Sequence, residues 1–417
     1  MEYDDGERAT AAAERARAFV SEVLVDVERD LRSETRLPRD RLADLHDRAR
    51  EYDVFGPGVP EEYGGLGLTF REQVPVLEAL GRTRIGPAAA HAPPWPDEAG
   101  LYALELAATD DQRERWLRPL AEGRLRSSLA MTEPIQGGGS DPTMVRTRAR
   151  KEGDEWVLDG HKWWVTGGSD SDVVLTFART DPDAGVHDAV SCLVVPVDAP
   201  GVEVHRDIAH MSDHVAGEPV HSEMTFDEVR VPEGNLLGEP NEGFAFFQRV
   251  LAHSRVWLGI EKTGTAQRAL DVAKAYATER EAFGEPLSAK QALRFEVAEA
   301  ETDLHAVRLM ARDVARKITE GADPRTEVAM FKYRASNAVC DVVDRAVQAC
   351  GANGIGEDLP LSDFYTNVRG YRIYDGADAV HKTVVARAAF DDADPEELEP
   401  LSRFGEPNTH PRESTDG

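Results

Sequence analysis

The chain has 417 residues, of which 41 % are hydrophobic, and its 77 acidic and 48 basic side chains give a net charge of −29. This length and composition predict a globular protein of two or three structural units, and they exclude a disordered chain or one that inserts into a membrane. The acidic balance argues against nucleic acid as a partner and indicates adaptation to high salt. The N-terminus shows no signal pattern, which predicts a cytoplasmic protein.

The first part of the chain, residues 1–127, reads mostly as helices. Apolar residues recur there with the helical period, and Thr109 is a predicted N-cap. A stretch rich in Gly and Pro, residues 54–65, interrupts this pattern and predicts a loop. The predicted helical faces and helices are Ala16, Val20, Val23 and Val27; Leu42, Leu45 and Ala49; Phe70–Gly81; and Thr109–Leu120.

The middle part, residues 128–236, changes to the two-residue period that is typical of β-strands. Turn signals separate its apolar runs at residues 152–154 and 181–185, and Asp159-Gly160 predicts a further hairpin turn. Many short strands at this spacing predict a small β-barrel or β-sandwich. The predicted strands are Val145–Ala149, Trp156–Leu158, Trp164–Thr166, Val173–Phe177, Cys192–Val195, Val202–His205 and Met224–Phe226.

The last part, residues 237–390, returns to the helical period and predicts an antiparallel four-helix bundle, followed by an acidic flexible tail over residues 391–417. The three cysteines, Cys192, Cys340 and Cys350, lack the spacing of metal ligands and are expected to be free thiols, so no metal site is predicted. The predicted apolar faces of the bundle contain Ala266, Leu270, Ala273 and Ala277, and Leu293, Val297, Ala300, Leu304, Val307, Ala311 and Val314.

One stretch of the middle part has the composition of a ligand-binding loop. An apolar run ends at Pro134, since proline lacks the N–H that a regular strand needs. Three glycines follow, and after them come Ser140 and Asp141. Such a loop lets the backbone approach a phosphate or a flat ring, although an ordinary surface turn has the same composition.

Residues 132–141 contain the sequences Thr-Glu-Pro and Gly-Ser-Asp, and residues 162–166 read Lys-Trp-Trp-Val-Thr. Together they resemble the flavin-binding middle domain of the acyl-CoA dehydrogenase family, although the loop after the proline is longer than the common form. Residues 60–65 resemble the family's Pro-Glu-x-x-Gly-Gly segment. The resemblance covers roughly residues 10–390. It implies an α+β multidomain fold with an N-terminal helical domain, a central β-domain and a C-terminal four-helix bundle.

The resemblance implies α,β-dehydrogenation of an acyl-CoA to trans-2-enoyl-CoA, with FAD as cofactor and an electron-transfer flavoprotein as the electron acceptor. Family members usually carry the base as the Glu of a Tyr-Glu-Gly-Thr segment, and Asp375 stands at that position here. Asp is one methylene shorter than Glu, and a helix-capping role for Asp375 is the alternative interpretation. Another branch of the family has its base just before an Arg early in the bundle, where this chain has Ser254 and then Arg255.

The surroundings of Asp375 resemble one particular branch of the family. Arg369 and Arg372 precede it, and Asp378 and His381 follow it. Members of that branch include long acyl-CoA dehydrogenases that in animals are fused to a kinase-like domain, for which 417 residues leave no room. In that branch an Asp at the base position is usual, which supports activity. His381 is expected to have a structural role.

The resemblance also implies cofactor and substrate contacts. Trp163 and Trp164 alternate along a predicted strand, so only one of them can face the flavin, and Trp164 is the expected one. A FAD site completed by a neighbouring subunit implies a homodimer or homotetramer. The implied FAD contacts are Met131, Thr132, Ser140, Trp164 and Thr166, then Arg280, Phe283, Gln291, Gln348 and Gly351 in the bundle, with Ala377 and Ala379. The implied substrate contacts are Ser140, Arg255 and Gly376.

Two other functions are alternatives at this point. A related flavin oxidase, similar to nitroalkane oxidases, shares the fold and also uses an Asp base, and oxygen consumption without an electron acceptor would identify it. The other alternative is a flavoprotein of the DNA-damage response with little dehydrogenase turnover. The net charge of −29 argues against DNA contact.

Overall fold

A computed structural model of the chain describes residues 5–31, 37–90, 97–134, 136–213, 219–394 and 397. Its N-terminal part is helical, as predicted. Thr69 and Thr109 each begin a helix with a capping box, in which the hydroxyl accepts the N–H of the residue three positions later. The helices are α1 (Glu7–Phe19), α2 (Val25–Asp30), α3 (Arg39–Glu51), α4 (Phe70–Leu80), α5 (Gly86–Ala90), α6 (Asp97–Ala107), α7 (Asp110–Gln112) and α8 (Arg118–Ala121), with π-helical turns at Val20–Leu24 and Arg113–Leu117.

The middle part forms one mixed sheet of eight strands in the order β6-β7-β3-β2-β4-β5-β8, with β1 paired parallel to β4. Side chains of β3, β4, β5 and β7 meet in one core that includes Leu158, Leu193 and Phe226, so the sheet curls around it. This confirms the predicted β-domain. The strands are β1 (Ser127–Ala130), β2 (Arg148–Glu152), β3 (Glu155–Thr166), β4 (Val173–Arg179), β5 (Val190–Pro196), β6 (Val202–Asp207), β7 (His221–Pro232) and β8 (Leu236–Leu237).

The hairpin turn predicted at Asp159-Gly160 is wrong. β3 continues through both residues, and the turn between β2 and β3 lies at Gly153, whose φ is 62°. A register shift between β3 and β7 forms a bulge here, in which the Asp159 carboxylate accepts the backbone N–H of Glu228 at 3.0 Å. Gly160 is required because a Cβ at this position would lie 2.3 Å from Oγ1 of Thr147. The pair therefore serves a bulge and a close approach, not a turn.

The C-terminal part is the predicted helical bundle. α9, α10 and α11 pack together with α4 of the N-terminal part, and α14 packs on α11. Trp257 and Phe331 are fully buried in their core. Leu293 and Val297 at the start of α10 are only partly buried, unlike the rest of the predicted face. The elements are α9 (Gly243–Glu279), β9 (Glu281–Ala282), β10 (Glu285–Pro286), α10 (Gln291–Thr319), α11 (Arg325–Cys350), α12 (Ala352–Ile355), α13 (Leu361–Arg369) and α14 (Asp378–Asp391).

Three expectations about the whole chain can be compared with the structure. Within the described ranges, none of the helices combines the length and apolar character needed to cross a bilayer. All three cysteines are buried and free, as predicted. The tail predicted over residues 391–417 lies largely outside the described residues.

Candidate active site

The Thr-Glu-Pro segment is held by the carboxylate of Glu133, which is buried inside the β-domain. Its Oε1 accepts hydrogen bonds from the Thr147 backbone N–H at 2.8 Å and from Nζ of Lys162 at 2.9 Å. Its Oε2 accepts the Arg146 backbone N–H at 2.6 Å. The end of β1, the chain entering β2, and β3 are therefore tied to one side chain, which fixes both ends of the glycine loop.

Glu133 and Lys162 form an ion pair with side-chain exposures of 3 % and 0 %. Burial lowers the pKa of Lys162 to about 8, against the effect of the Glu133 charge. Burial also acts to raise the pKa of Glu133, but the Lys162 charge and the hydrogen bonds hold it below its ordinary value. Nζ of Lys162 also donates to the Met131 carbonyl at 3.0 Å, and the Trp163 N–H donates to the Thr132 carbonyl at 3.0 Å. The two sequence segments are thus one structural unit.

Trp164 presents an exposed indole on this unit. Its φ of 53° lies in the left-handed region, which bulky residues rarely adopt, and the residue falls in a register shift between Lys162 and Val165. This β-bulge directs the side chain outward, so that 42 % of Trp164 is exposed, whereas Nε1 of Trp163 is buried. A strained backbone that holds a flat ring at the surface indicates a ligand platform.

Thr166 lies at the end of β3, where its Oγ1 is 3.0 Å from Nδ1 of His221 on β7. Burial lowers the pKa of His221 to about 4, so its ring is neutral at pH 7. The ring of Trp164 lies 5.6 Å from that of His221. The structure therefore brings together four of the predicted cofactor residues: Met131, Thr132, Trp164 and Thr166.

The glycine loop contains the fifth residue predicted on this side, Ser140. The Glu133 N–H donates to the Gly138 carbonyl at 2.7 Å, and Oδ1 of Asp141 accepts the Thr143 N–H at 3.0 Å to begin a short 3-10 turn. Ser140 itself is exposed, and its hydroxyl has no hydrogen-bond partner among the described residues. The loop is therefore held at both ends while Ser140 faces solvent.

A second group of predicted residues lies at the start of the bundle. Phe283 and Gly284, with φ values of 55° and 83°, form the two-residue turn between β9 and β10, and Phe283 is 98 % exposed. The Leu287 N–H donates to the Arg280 carbonyl at 2.9 Å. Leu287 also lines a groove of about 620 Å³ between α10 and α11. Its other lining residues include Lys290, Leu293, Arg345, Gln348 and Ala349, with Gln291 and Gly351 next to them in sequence.

Asp375 lies in the turn between α13 and α14, where its φ of 57° is left-handed. Nε of Arg255 donates to its backbone carbonyl at 2.8 Å, and Nε2 of His381 donates to the same oxygen at 3.0 Å. Nζ of Lys332 donates to the next carbonyl, that of Gly376, at 2.8 Å. Side chains from α9, α11 and α14 therefore hold this turn in its strained conformation.

The Asp375 carboxylate does not cap a helix, because the N-cap of α14 is Ala377 and it has no side-chain cap. Its Oδ2 is buried and has no hydrogen-bond partner among the residues that the structure describes. Burial raises the pKa of this carboxyl group, and the charges of Arg255 and Lys332 oppose the rise. A buried carboxylate with a raised pKa and a free oxygen is suited to accept a proton.

The remaining predicted residues lie around the same turn. Gly376 has a φ of 91°, and Ala379 is exposed in the first turn of α14. Asp378 supports the turn, since its Oδ1 accepts the Ser336 hydroxyl at 2.7 Å and its Oδ2 accepts Nδ2 of Asn337 at 2.9 Å. Arg255 lies in the interior beside Asp375, so the structure gives it a backbone contact at the base rather than a surface position.

Four residues that hold these sites were not predicted from the sequence: Glu133, Lys162, His221 and Lys332. One signal was available for Lys332, which lies four residues after Val328 on the apolar face of α11. A lysine on an apolar face is a buried cation that needs partners. Glu133 and Lys162 lie within the two quoted segments, but the sequence does not show that they pair, and no signal marks His221, because its partners are distant in sequence.

The chain resembles known proteins along most of its length. The models of the acyl-CoA dehydrogenase N-terminal, middle and C-terminal domains match residues 6–124, 128–229 and 241–390. The Mycobacterium tuberculosis protein named probable acyl-CoA dehydrogenase FadE2 is 36 % identical over 77 % of this chain and 79 % of its own length.

Two further proteins show the same similarity. Mouse acyl-CoA dehydrogenase family member 10 is 34 % identical over 89 % of this chain, which spans about a third (34 %) of that longer protein. A crystal structure of acyl-CoA dehydrogenase from Geobacillus kaustophilus superposes with a TM-score of 0.82 at 27 % identity, over 93 % of this chain and 99 % of that one. The similarity therefore includes both sequence and fold along most of the described chain.

Proposed function

This chain belongs to the acyl-CoA dehydrogenase family and is an FAD-dependent oxidoreductase that acts on a CH–CH bond, and from that premise we propose that it converts an acyl-CoA to trans-2-enoyl-CoA with Asp375 as the base. One observation carries this assignment. The buried carboxylate of Asp375 has a free oxygen, while Arg255 and His381 bind its backbone carbonyl.

The described residues fit FAD at two places. The exposed ring of Trp164, beside the hydroxyl of Thr166, offers a flat platform with a polar edge. The guanidinium of Arg280 is exposed and has no ion-pair partner in the described chain, so it is available to a phosphate. FAD, when bound, supplies the acceptor for the hydride that leaves the β-carbon. We assign its remaining contacts to Met131, Thr132, Ser140, Ala377 and Ala379, and to Phe283, Gln291, Gln348 and Gly351.

Asp375 performs the proton step in this proposal. An α-C–H beside a thioester is a weak acid, so the base must have a pKa closer to the working pH than that of an exposed Asp. Burial provides that rise, and the charges of Arg255 and Lys332 oppose it. Asp reaches about 1.5 Å less far than Glu, so the turn itself must bring the carboxylate to the α-carbon. We assign Gly376 to the substrate side of this turn and Arg255 to holding it.

We further propose that FAD lies between two copies of the chain and that an electron-transfer flavoprotein accepts the electrons. The residues around the groove between α10 and α11 make no described contact with Trp164 or Thr166. In this proposal one bound FAD uses both sets, and a second copy of the chain supplies the groove. The turn at Phe283, which is 98 % exposed, is an apolar contact available to that copy.

The proposal is tested by anaerobic titration of the purified protein with saturated acyl-CoAs of varied chain length. Bleaching of the flavin absorbance and recovery of trans-2-enoyl-CoA would support it. The bleached protein is then mixed either with air or with an electron-transfer flavoprotein, which distinguishes a dehydrogenase from an oxidase. For a dehydrogenase, slow reoxidation of the flavin by oxygen and fast reoxidation by the electron-transfer flavoprotein are expected. Protein that holds FAD but is bleached by no acyl-CoA would overturn the proposal, and rapid turnover of nitroalkanes with oxygen would replace it.

A further inference from the structure

A group of buried polar side chains that the proton step does not use lies on α6 and α9. Glu98 is 3 % exposed and His253 is 8 % exposed. Nδ1 of His253 is 2.6 Å from Oε1 of Glu98, a close approach without hydrogen-bond geometry. The two residues therefore form a close polar contact in the interior that leaves Oε2 of Glu98 available.

Several polar atoms of this group have no hydrogen-bond partner among the described residues. They are Oε2 of Glu98, Oε1 of Glu105 and Oγ of Ser254, and Ser254 is 1 % exposed. Buried polar atoms without partners are costly and are therefore rare in native proteins. Three of them on two neighbouring helices indicate that a ligand completes their hydrogen bonds.

Aromatic rings fix the orientation of this group. The ring of Tyr102 stacks on His253 with centroids 4.1 Å apart, and the ring of Phe70 lies 4.0 Å from the same imidazole. The imidazole is thus packed against two rings while its edge meets Glu98.

The group also lies next in sequence to the residue that holds the turn of the proposed base. His253 and Ser254 directly precede Arg255, whose Nε binds the Asp375 carbonyl at 2.8 Å. Burial raises the pKa of Asp375, and the negative charge of Glu98 adds to that rise. The polar group and the turn of Asp375 are therefore joined through α9 and Arg255.

We propose that Glu98, with His253 and Ser254, forms a subsite for the acyl chain that accepts a hydrogen-bond donor, a hydroxyl or an amino group, beyond the β-carbon. An ionised carboxylate only accepts hydrogen bonds, so a donor satisfies it. An unsubstituted chain leaves it unpaired, and an anionic substituent is repelled by it. This inference depends on the proposed function, because it concerns the substrate of the same site.

The test compares flavin bleaching by isosteric pairs of acyl-CoAs over a series of chain lengths, in which a terminal methyl is replaced by hydroxyl or by amino. For at least one chain length, the polar member is expected to bleach half of the flavin at a concentration about 10-fold lower than its methyl partner. This is the scale of the free energy gained when one buried acceptor receives a hydrogen bond. Glu98→Met should remove or reverse that preference. Glu98→Gln should keep the hydroxyl preference and lose the amino one, since the charge is gone but an acceptor stays.

Glu114→Gln is the matched control, because Glu114 is exposed and paired with Arg118 on the surface, so its preference should equal that of the parent. Parent protein that prefers the methyl member at every length would overturn the inference. A preference for the polar member that survives in Glu98→Met would also overturn the inference. If Glu98→Met does not fold, an unchanged preference for the amino member in Glu98→Gln overturns it. In each of these cases acyl-CoAs still bleach the flavin, so the proposed function stands. Absence of bleaching by every acyl-CoA contradicts both.

Discussion

Nζ of Lys162 lies 2.9 Å from Oε1 of Glu133 inside the β-domain, and this contact joins two segments that are 29 residues apart in sequence. Both side chains are almost completely buried. The same lysine also binds the Met131 carbonyl. The platform at Trp164 thus depends on an ion pair in the protein interior and not on the glycine loop alone.

Removing one partner of this pair should be strongly destabilising. Glu133→Gln leaves the ammonium of Lys162 buried without a counter-charge, so the free energy of unfolding should fall by about 3–5 kcal/mol. Unfolding in urea measures this loss. Glu114→Gln breaks only the surface pair with Arg118 and should cost less than about 1 kcal/mol. Similar small losses in both variants would contradict a stabilising role for the buried pair.

Trp164→Ala should weaken FAD binding without unfolding the protein. The side chain is 42 % exposed, so its removal leaves no enclosed cavity, whereas the stacking surface is lost. An increase of about 10-fold in the dissociation constant of FAD is expected, on the scale of one aromatic contact. Fluorescence titration of the apoprotein with FAD measures it. Phe390→Ala, which removes another exposed ring, is the control, and equal FAD affinity in the two variants would contradict the platform.

A FAD site shared between two copies predicts complementation. Trp164→Ala and Arg280→Ala each damage every site in their own oligomers. In a dimer mixed at random from both variants, half of the molecules are hybrids, and each hybrid has one intact site. About a quarter of the parent activity should therefore return after refolding the two variants together. Trp164→Ala and Arg280→Ala, each refolded alone, are the controls. No recovery above the mean activity of the two controls would show that both residues serve the same copy.

Buried histidines predict a loss of stability in acid. Burial lowers the pKa of His46, whose Nε2 lies 3.0 Å from the Ala88 carbonyl oxygen, from 6.5 to about 4. Between these values the unfolded chain binds a proton that the folded protein does not, so stability falls as the pH drops from 6.5 to 4, by roughly 3 kcal/mol for this group. Over that pH range, the free energy of unfolding of His46→Gln should fall by roughly 3 kcal/mol less than that of the parent protein. The exposed His205→Gln is the control, and parallel curves for all three proteins would contradict the effect.

The helices were predictable because their apolar residues repeat over many turns. The face of α10 from Ala300 to Val314 is buried as predicted, and Thr109 caps its helix through the hydroxyl that sequence alone suggested. Asp375 was predicted as the base because its neighbours match a family segment, and that role stays a prediction. The structure adds that its backbone is strained and held by Arg255 and His381.

Other features depend on contacts that no local pattern contains. Asp159-Gly160 has the composition of a hairpin turn, yet the position requires glycine because Thr147, directly before β2, packs against it. The left-handed backbone of Trp164 results from a register shift against β7, which lies far along the chain. Glu98 gave no signal, since a glutamate in an amphipathic helix is usually exposed, and only its burial beside His253 distinguishes it.

In the proposed reaction, Asp375 accepts the α-proton of an acyl-CoA. Asp375→Asn keeps the size of the side chain and the backbone contacts to Arg255 and His381, but an amide cannot take the proton at neutral pH. Asp375→Glu adds a methylene and should overshoot the α-carbon, so it should also lose rate. Asp358→Asn, an exposed change nearby in sequence, is the control and should react like the parent.

The most direct measurement is the rate of flavin reduction after rapid anaerobic mixing of each FAD-loaded variant with a saturated acyl-CoA that reduces the parent. Asp375→Asn is expected to bind FAD as the parent does and to be reduced at least about 100-fold more slowly, the scale of a lost general base. Reduction of Asp375→Asn at nearly the parent rate would contradict the account, because the base would then lie elsewhere.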